Sequence, residues 1–209
     1  RQSRERINQE VRQADEAVQQ NARQGEQLTR EISSLSAQRQ STASRLKVLQ
    51  EMQRDYEGYQ NSVKQVLMQA RRTPNSGVHG VVATLIQVPK ELERAIDMVL
   101  GGALQNVVVD AEENAKRMID YLRAGRLGRA TFLPISSVRG RTLNREERQV
   151  LNMPGCVGLA SELVQYDERY RGIVENLLGR TVVARDLDAG IAIQRAGRHA
   201  FRLVTLEGD

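Results

Sequence analysis

Among 209 residues, 31 are Lys or Arg and 26 are Asp or Glu, a net charge of +5 that is mild for a nucleic-acid binder and decides nothing by itself. A single cysteine, Cys156, excludes an internal disulfide, and two histidines far apart, His79 and His199, offer no structural metal site. No stretch approaches the roughly 20 apolar residues of a membrane span, and the N-terminus lacks the apolar core of a signal peptide, so a soluble cytoplasmic chain with no membrane contact is expected.

The first third reads as helix. Before Gly77 there is no tryptophan or phenylalanine, the only proline is Pro74, and glycine stands only at Gly25 and Gly58. With Ile7 at d, the d series runs Ala14, Asn21, Leu28, Leu35, Thr42, Leu49, Tyr56, Val63 and Ala70. The a series runs Val11, Val18, Gly25, Ile32, Arg39, Leu46, Gln53, Gln60 and Leu67, with a competing phase near Met52 and Tyr59. A seam repeating every seven residues supercoils against a partner helix. The expectation is one strand of a coiled-coil arm over residues 1–73. No other segment carries matching heptads, so the second strand must come from elsewhere: a parallel copy of this helix, or a returning helix not in the sequence.

Pro74, Asn75, Ser76 and Gly77 stop that helix. Val81 to Val88 then reads as a strand, and Leu92 to Leu100 as a helix ended by Gly101-Gly102. Gln105 to Asp110 reads as a buried strand, Ala111 to Ala124 as an amphipathic helix and Arg129 to Leu133 as a strand. After a loop-rich stretch from Pro134 to Pro154 the order recurs. A helix over Ile173 to Leu178 ends at Gly179, Thr181 to Ala184 is a strand, Leu187 to Ala196 a helix and Arg202 to Leu206 a strand. Allowing short gaps, the strand ending at Asp110 matches that ending near Asp186, and Thr131-Phe132-Leu133 matches Leu203-Val204-Thr205. The expected globular part, 77–209, is therefore a mixed α/β or α+β domain of two similar half-domains, about 77–150 and 151–209.

Catalytic chemistry finds little support. No Gly-x-x-x-x-Gly-Lys-[Ser/Thr] loop and no Gly-x-Gly-x-x-Gly after a strand occurs, so no nucleotide cofactor is expected. Gly101, Gly102 and Gly179 read as structural turns, with a left-handed stop at the first pair. Neither histidine has a visible orienting partner, Cys156 reads as a small buried hydrophobe, and Asp110 and Asp186 read as helix N-caps. The basic side chains say more. Residues 116–148 carry nine Lys and Arg against Asp120, Glu146 and Glu147. Lys64, Arg71 and Arg72 on the last helical turns, with Arg123, Arg126 and Arg129 around a glycine-containing turn, are candidates for DNA binding through phosphates. Seven Phe and Tyr residues are too few for base-stacking platforms, so such contact would be electrostatic.

Several runs together resemble the hinge of bacterial-type structural-maintenance-of-chromosomes (SMC) proteins. They are Gly77-Val78-His79-Gly80-Val81-Val82, Leu100-Gly101-Gly102-Ala103-Leu104-Gln105-Asn106-Val107-Val108-Val109, Gly128-Arg129-Ala130-Thr131-Phe132-Leu133-Pro134, Gly158-Leu159-Ala160-Ser161-Glu162-Leu163-Val164 and Arg202-Leu203-Val204-Thr205-Leu206-Glu207-Gly208-Asp209. The resemblance implies a long helix leading into a hinge that pairs with a second copy as a homodimer. It also implies a returning antiparallel helix, non-specific DNA association in chromosome condensation and segregation, a nucleoid location, and an ATPase head elsewhere in the parent protein. This chain itself is then not an enzyme. The rival expectation is an α/β ligand-binding or enzyme domain fused to a parallel dimeric coiled coil; the polarity of the arm separates the two.

Overall fold

The computed structural model describes residues 2–54 and 58–209, with side chains at Ile7, over 11–50 and from 58 onward. The chain divides into two compact units between residues 57 and 58.

The first unit is helix α1, Gln2–Arg54. Its large apolar a and d residues (Ile7, Val11, Val18, Leu28, Ile32, Leu35, Leu46 and Leu49) are each 53 to 67% exposed, so among the described residues the seam has no partner. Thr29, Ser33 and Thr42 donate their hydroxyls to the carbonyls of Gly25, Thr29 and Gln38 four residues back, which satisfies the hydroxyls without adding to helix stability. The d position at Tyr56 lies outside the described residues, as does the side chain of Gln53.

The single helix expected through residue 73 is not what forms. Gly58 sits in a turn at φ +90°, and a separate helix α2, Asn61–Arg72, belongs to the second unit. The apolar residues that continue the heptads, Val63 and Leu67, are buried, and so is Val66 between them. They face the globular unit, because an apolar stripe specifies that a surface is covered and not by what.

Beyond α2 the same series of elements is built twice. The first comprises β1 (Val78–Val81), α3 (Val82–Leu85), β2 (Ile86–Gln87), α4 (Glu93–Leu100), β3 (Val107–Val109), α5 (Glu112–Gly125) and β4 (Phe132–Pro134). The second comprises β5 (Cys156–Leu159), α6 (Ala160–Leu163), β6 (Gln165–Tyr166), α7 (Arg171–Leu178), β7 (Thr181–Ala184), α8 (Leu187–Ala196) and β8 (Arg202–Thr205). Two three-stranded sheets, β1-β3-β4 and β5-β7-β8, share one pattern: the first pair antiparallel, the second parallel. Even an irregularity repeats, between Val78 and Gly80 and between Cys156 and Gly158. The registers equate Thr131 with Arg202, one residue from the match by residue type, which sets Thr131 against Leu203.

Two expected elements change. Val81 to Val88 is interrupted by the helical turn α3, which Thr84 closes by donating its hydroxyl to the Val81 carbonyl at 2.8 Å. The stretch after Pro154, to which the sequence assigned no element before Ile173, contains the twin of that arrangement in β5, α6 and β6. Between the halves, β2 and β6 pair antiparallel, Ile86 opposite Tyr166. A shared core joins Ala95, Ile96 and Leu100 of α4 to their counterparts Ile173, Val174 and Leu178 of α7, with Val108, Val183 and Val204 from the sheets. The outer faces are covered unequally. Helix α2 packs on β1 and α5 in the first half, whereas the 3-10 turn Glu147–Asn152 packs on β5 in the second, burying Val150 with Leu159, Val182, Ile193 and Phe201.

A salt bridge ties down the chain that joins the halves. Arg180 donates Nη1 to the Thr142 carbonyl and to Glu147 Oε2 (3.2 and 3.1 Å), and Nη2 to Glu147 Oε1 and the Ala200 carbonyl (2.8 and 2.6 Å). The guanidinium and the Asn144 backbone N–H together hold the Glu147 carboxyl below its ordinary range. A lowered folded-state value means that the stabilisation is complete above about pH 4.3, the ordinary glutamate value, and fades as pH falls through the lower folded one. Arg180→Gln is expected to cost about 2 kcal/mol at pH 7. The gap from the parent should narrow at pH 3, in urea unfolding followed by tyrosine emission, which no tryptophan obscures. An equal gap at both pH values would mean that the pair contributes nothing electrostatic.

Candidate functional site

The six candidate basic residues lie on two packed helices and one loop. Ser62, at the start of α2, donates its hydroxyl to the Arg129 carbonyl at 2.5 Å. At the other end of α2, the Ser76 carbonyl accepts from Asn114 Nδ2 and Arg117 Nη2 near the start of α5. The two helices therefore run antiparallel. This separates the candidates: Lys64, Arg123, Arg126 and Arg129 share one end, while Arg71 and Arg72 stand toward the other, about 10–12 Å from Lys64 along α2.

The ends differ in charge. At the first, Asp120 is the nearby acid, held between Lys116 (3.8 Å) and Arg123 (4.0 Å). Among the described residues Lys64, Arg126 and Arg129 have no ion-pair partner. A groove of about 540 Å³ there is lined by Ile119, Leu122, Arg123, Gly128, Arg129 and Ala130. At the other end Glu112 and Glu113 open α5 and offset Arg71, Arg72 and Arg117. The first end is thus the more positive surface, although the spacing of the residues in sequence does not show it.

The glycine turns serve different purposes. The left-handed stop does not form: Gly101 has positive φ but lies outside the left-handed helical region, at φ 45° and ψ −124°, a conformation that glycine reaches without strain. Gly102 lies in the following 3-10 turn with open space around it. Gly179 is not left-handed, at φ −70°. A Cβ there would come within 2.3 Å of the Arg141 carbonyl oxygen, so the residue is needed for a close backbone passage.

One polar cluster escaped the sequence. His79, at the β1 irregularity, places Nε2 2.6 Å from Asp110 Oδ1 and Nδ1 2.9 Å from the Tyr170 hydroxyl of the other half-domain. The neutral tautomer that donates from Nε2 and accepts from tyrosine satisfies every partner. Asp110 is consequently not a helix cap, a correction to its sequence reading. Ala111 occupies the N-cap of α5, and Asn114 accepts from the Ala111 N–H at 3.2 Å. Asp186 does cap α8, accepting from the Ala189 N–H at 2.9 Å. The counterpart of Asp110 is Arg185, not Asp186, which is why a sequence match by residue type misleads. Tyr170 is buried, its ring edge-on to His79 and under Arg169, so the cluster joins the halves. Burial pushes the Cys156 thiol up, away from thiolate reactivity. Among the described residues no group of His, Cys, Asp or Glu could hold a metal, and no helix is long and apolar enough to cross a membrane.

Comparison with known proteins agrees with this architecture. Residues 75–194 match the family described as SMC proteins Flexible Hinge Domain. The chain is 42% identical over 166 residues to the chromosome partition protein Smc of Halothermothrix orenii and 39% identical over 171 residues to that of Bacillus subtilis. These matches cover 79% and 81% of this chain but 14% of each relative, so the chain spans about one seventh of their length. The Geobacillus stearothermophilus SMC hinge domain, solved as an asymmetric dimer, superposes with a TM-score of 0.77 at 44% identity, covering 82% of this chain and 68% of that one. The Pyrococcus furiosus SMC hinge domain gives 0.57 at 29%, covering 76% and 78%. With a matching family, relatives of this identity and the duplicated architecture, the chain belongs to the SMC hinge domain family.

Proposed function

We propose that this chain is the pairing and DNA-contacting module of a longer chromosome-partitioning protein whose ATPase lies outside it. Pairing with a second copy is supported by the likeness to the Geobacillus hinge, solved as a dimer. It is supported also by the edge strands β1, β4 and β5, which pair with no further strand among the described residues, whereas the outer Thr205 N–H of β8 is taken by the Asp209 carbonyl. The exposed seam of α1 calls for a second strand, which in a hinge is a helix returning antiparallel. The parent would act at the nucleoid.

The observation that carries the DNA reading is the positive end of the α2–α5 pair. Lys64, Arg126 and Arg129 are cations without acidic partners among the described residues, beside a groove edged by Arg123. Contact made by such cations is to phosphates and insensitive to sequence. Binding of a mixed-sequence duplex is expected to weaken with salt at a log-log slope of about −0.9 per phosphate neutralised. A Lys64→Gln, Arg126→Gln, Arg129→Gln triple variant should lower both affinity and slope. An Arg71→Glu, Arg72→Glu variant should do so less. Parent-like affinity and slope in the triple variant would show that this end is only a solvated face.

A further inference from the structure

The four residues Arg-Ala-Gly-Arg occur twice, at 123–126 ending α5 and at 195–198 ending α8. They keep this place although the helices differ in length: the N-cap stands at Ala111 for an arginine at 126 and at Asp186 for an arginine at 198. The hydrogen bonding is the same in both. Arg126 and Arg198 donate their N–H to the carbonyl three residues back (Arg123 and Arg195), and the next residues, Leu127 and His199, donate five back, to Leu122 and Gln194. This closure needs a left-handed residue, and Arg126 and Arg198 take it, at φ 53° and 52°. Glycine is strongly favoured there, yet each loop puts its glycine one residue earlier and an arginine in the strained position. Strain kept at two equivalent points of one chain asks for a use of the side chain.

We propose that the α8–β8 loop is a second phosphate-contacting site for the backbone of DNA, the counterpart of the one at α5–β4. Arg195 and Arg198 are exposed and have no ion-pair partner among the described residues. His199, also left-handed at φ 56°, and exposed Arg202 at the start of β8 flank them. Glu146 and Glu147 share a groove with Arg198. Glu147 is already neutralised by Arg180, so the loop remains net positive. Two such loops, one per half-domain, let a single polyanion engage the hinge at two places, or two segments engage it separately. This goes beyond the α2–α5 surface and rests on the same ligand chemistry.

The test is an Arg195→Gln, Arg198→Gly variant of the whole chain, titrated with a mixed-sequence duplex at three salt concentrations beside the parent and the Lys64/Arg126/Arg129 variant. Affinity should fall roughly threefold or more, and the salt slope by about 0.9 for each phosphate no longer neutralised. The thermal midpoint should match or exceed that of the parent, because glycine relieves the strain. Arg195→Gln alone, on an exposed helical turn, keeps the test valid if the double variant folds poorly. Parent-like affinity and slope in the Arg195 and double variants overturn the inference; if the Lys64/Arg126/Arg129 variant then weakens, the reading of the first surface stands. Loss in the α8 variant without loss in the other supports this site and sinks the first. Equal weakening of binding to vesicles of anionic lipid, with duplex binding unchanged, would assign the loop to another phosphate and overturn it for DNA.

Discussion

Ile96→Ala is expected to lower the unfolding free energy by about 4 kcal/mol, through lost burial and a cavity that the surroundings cannot fill. Ile96 is 1% exposed and lies in the core that α4 shares with α7, where residues of both half-domains surround it. The damage should therefore spread. Hydrogen exchange is expected to quicken in β3 and in β7 alike, whereas Ile193→Ala, in the outer cluster of the second half, should quicken it mainly in β5, β7 and β8. Faster exchange confined to the first half in the Ile96 variant would show that the halves unfold independently.

Gly179→Ala is the second large effect, on the order of 3 kcal/mol. The added methyl would stand 2.3 Å from the Arg141 carbonyl oxygen and 2.5 Å from that of Glu175. Both are backbone atoms, and neither can swing aside as a side chain would. Nearby hydrogen bonds raise the cost, because Asn176 donates to the Arg139 carbonyl and Arg180 to that of Thr142, fixing the joining segment against α7. Gly102→Ala is the control. It has nothing within 4 Å and should shift the urea midpoint little, within about 0.5 kcal/mol. Similar losses at the two positions would mean that chain flexibility, and not the close passage, decides.

Much of this was legible in the sequence where a period or a cap carries it. The seam of α1 follows from its heptads, and α8 runs over the expected Leu187–Ala196 because Asp186 caps it. What was not legible depends on distant partners. Val63 and Leu67 keep the seven-residue phase of the arm, yet they turn against β1 and α5; nothing local distinguishes the two burials. The short strands β2 and β6 hold two residues each and exist through pairing with one another. The segment Cys156–Leu159 shows no clean alternation, because an irregularity interrupts it. Among the basic residues, composition points to a region but does not divide it, since only packing shows α2 and α5 to be antiparallel. The repeated Arg-Ala-Gly-Arg stands in plain view, but its interest comes from the backbone angle at its last arginine.

The interleaving of the halves also bears on how such a chain is made. Val108 and Ala95 share a core with Val204, Arg94 pairs with Glu207, and His79 waits for Tyr170, all pairings across some ninety residues or more. A ribosome adding about 5–20 residues per second would leave the first half-domain with an apolar α4 face uncovered for on the order of ten seconds before its cover emerges. Pairings of such long range also form slowly once the chain is complete. During synthesis this domain should therefore be a client for holding chaperones, and a ribosome stalled before Tyr170 should display a species prone to aggregate.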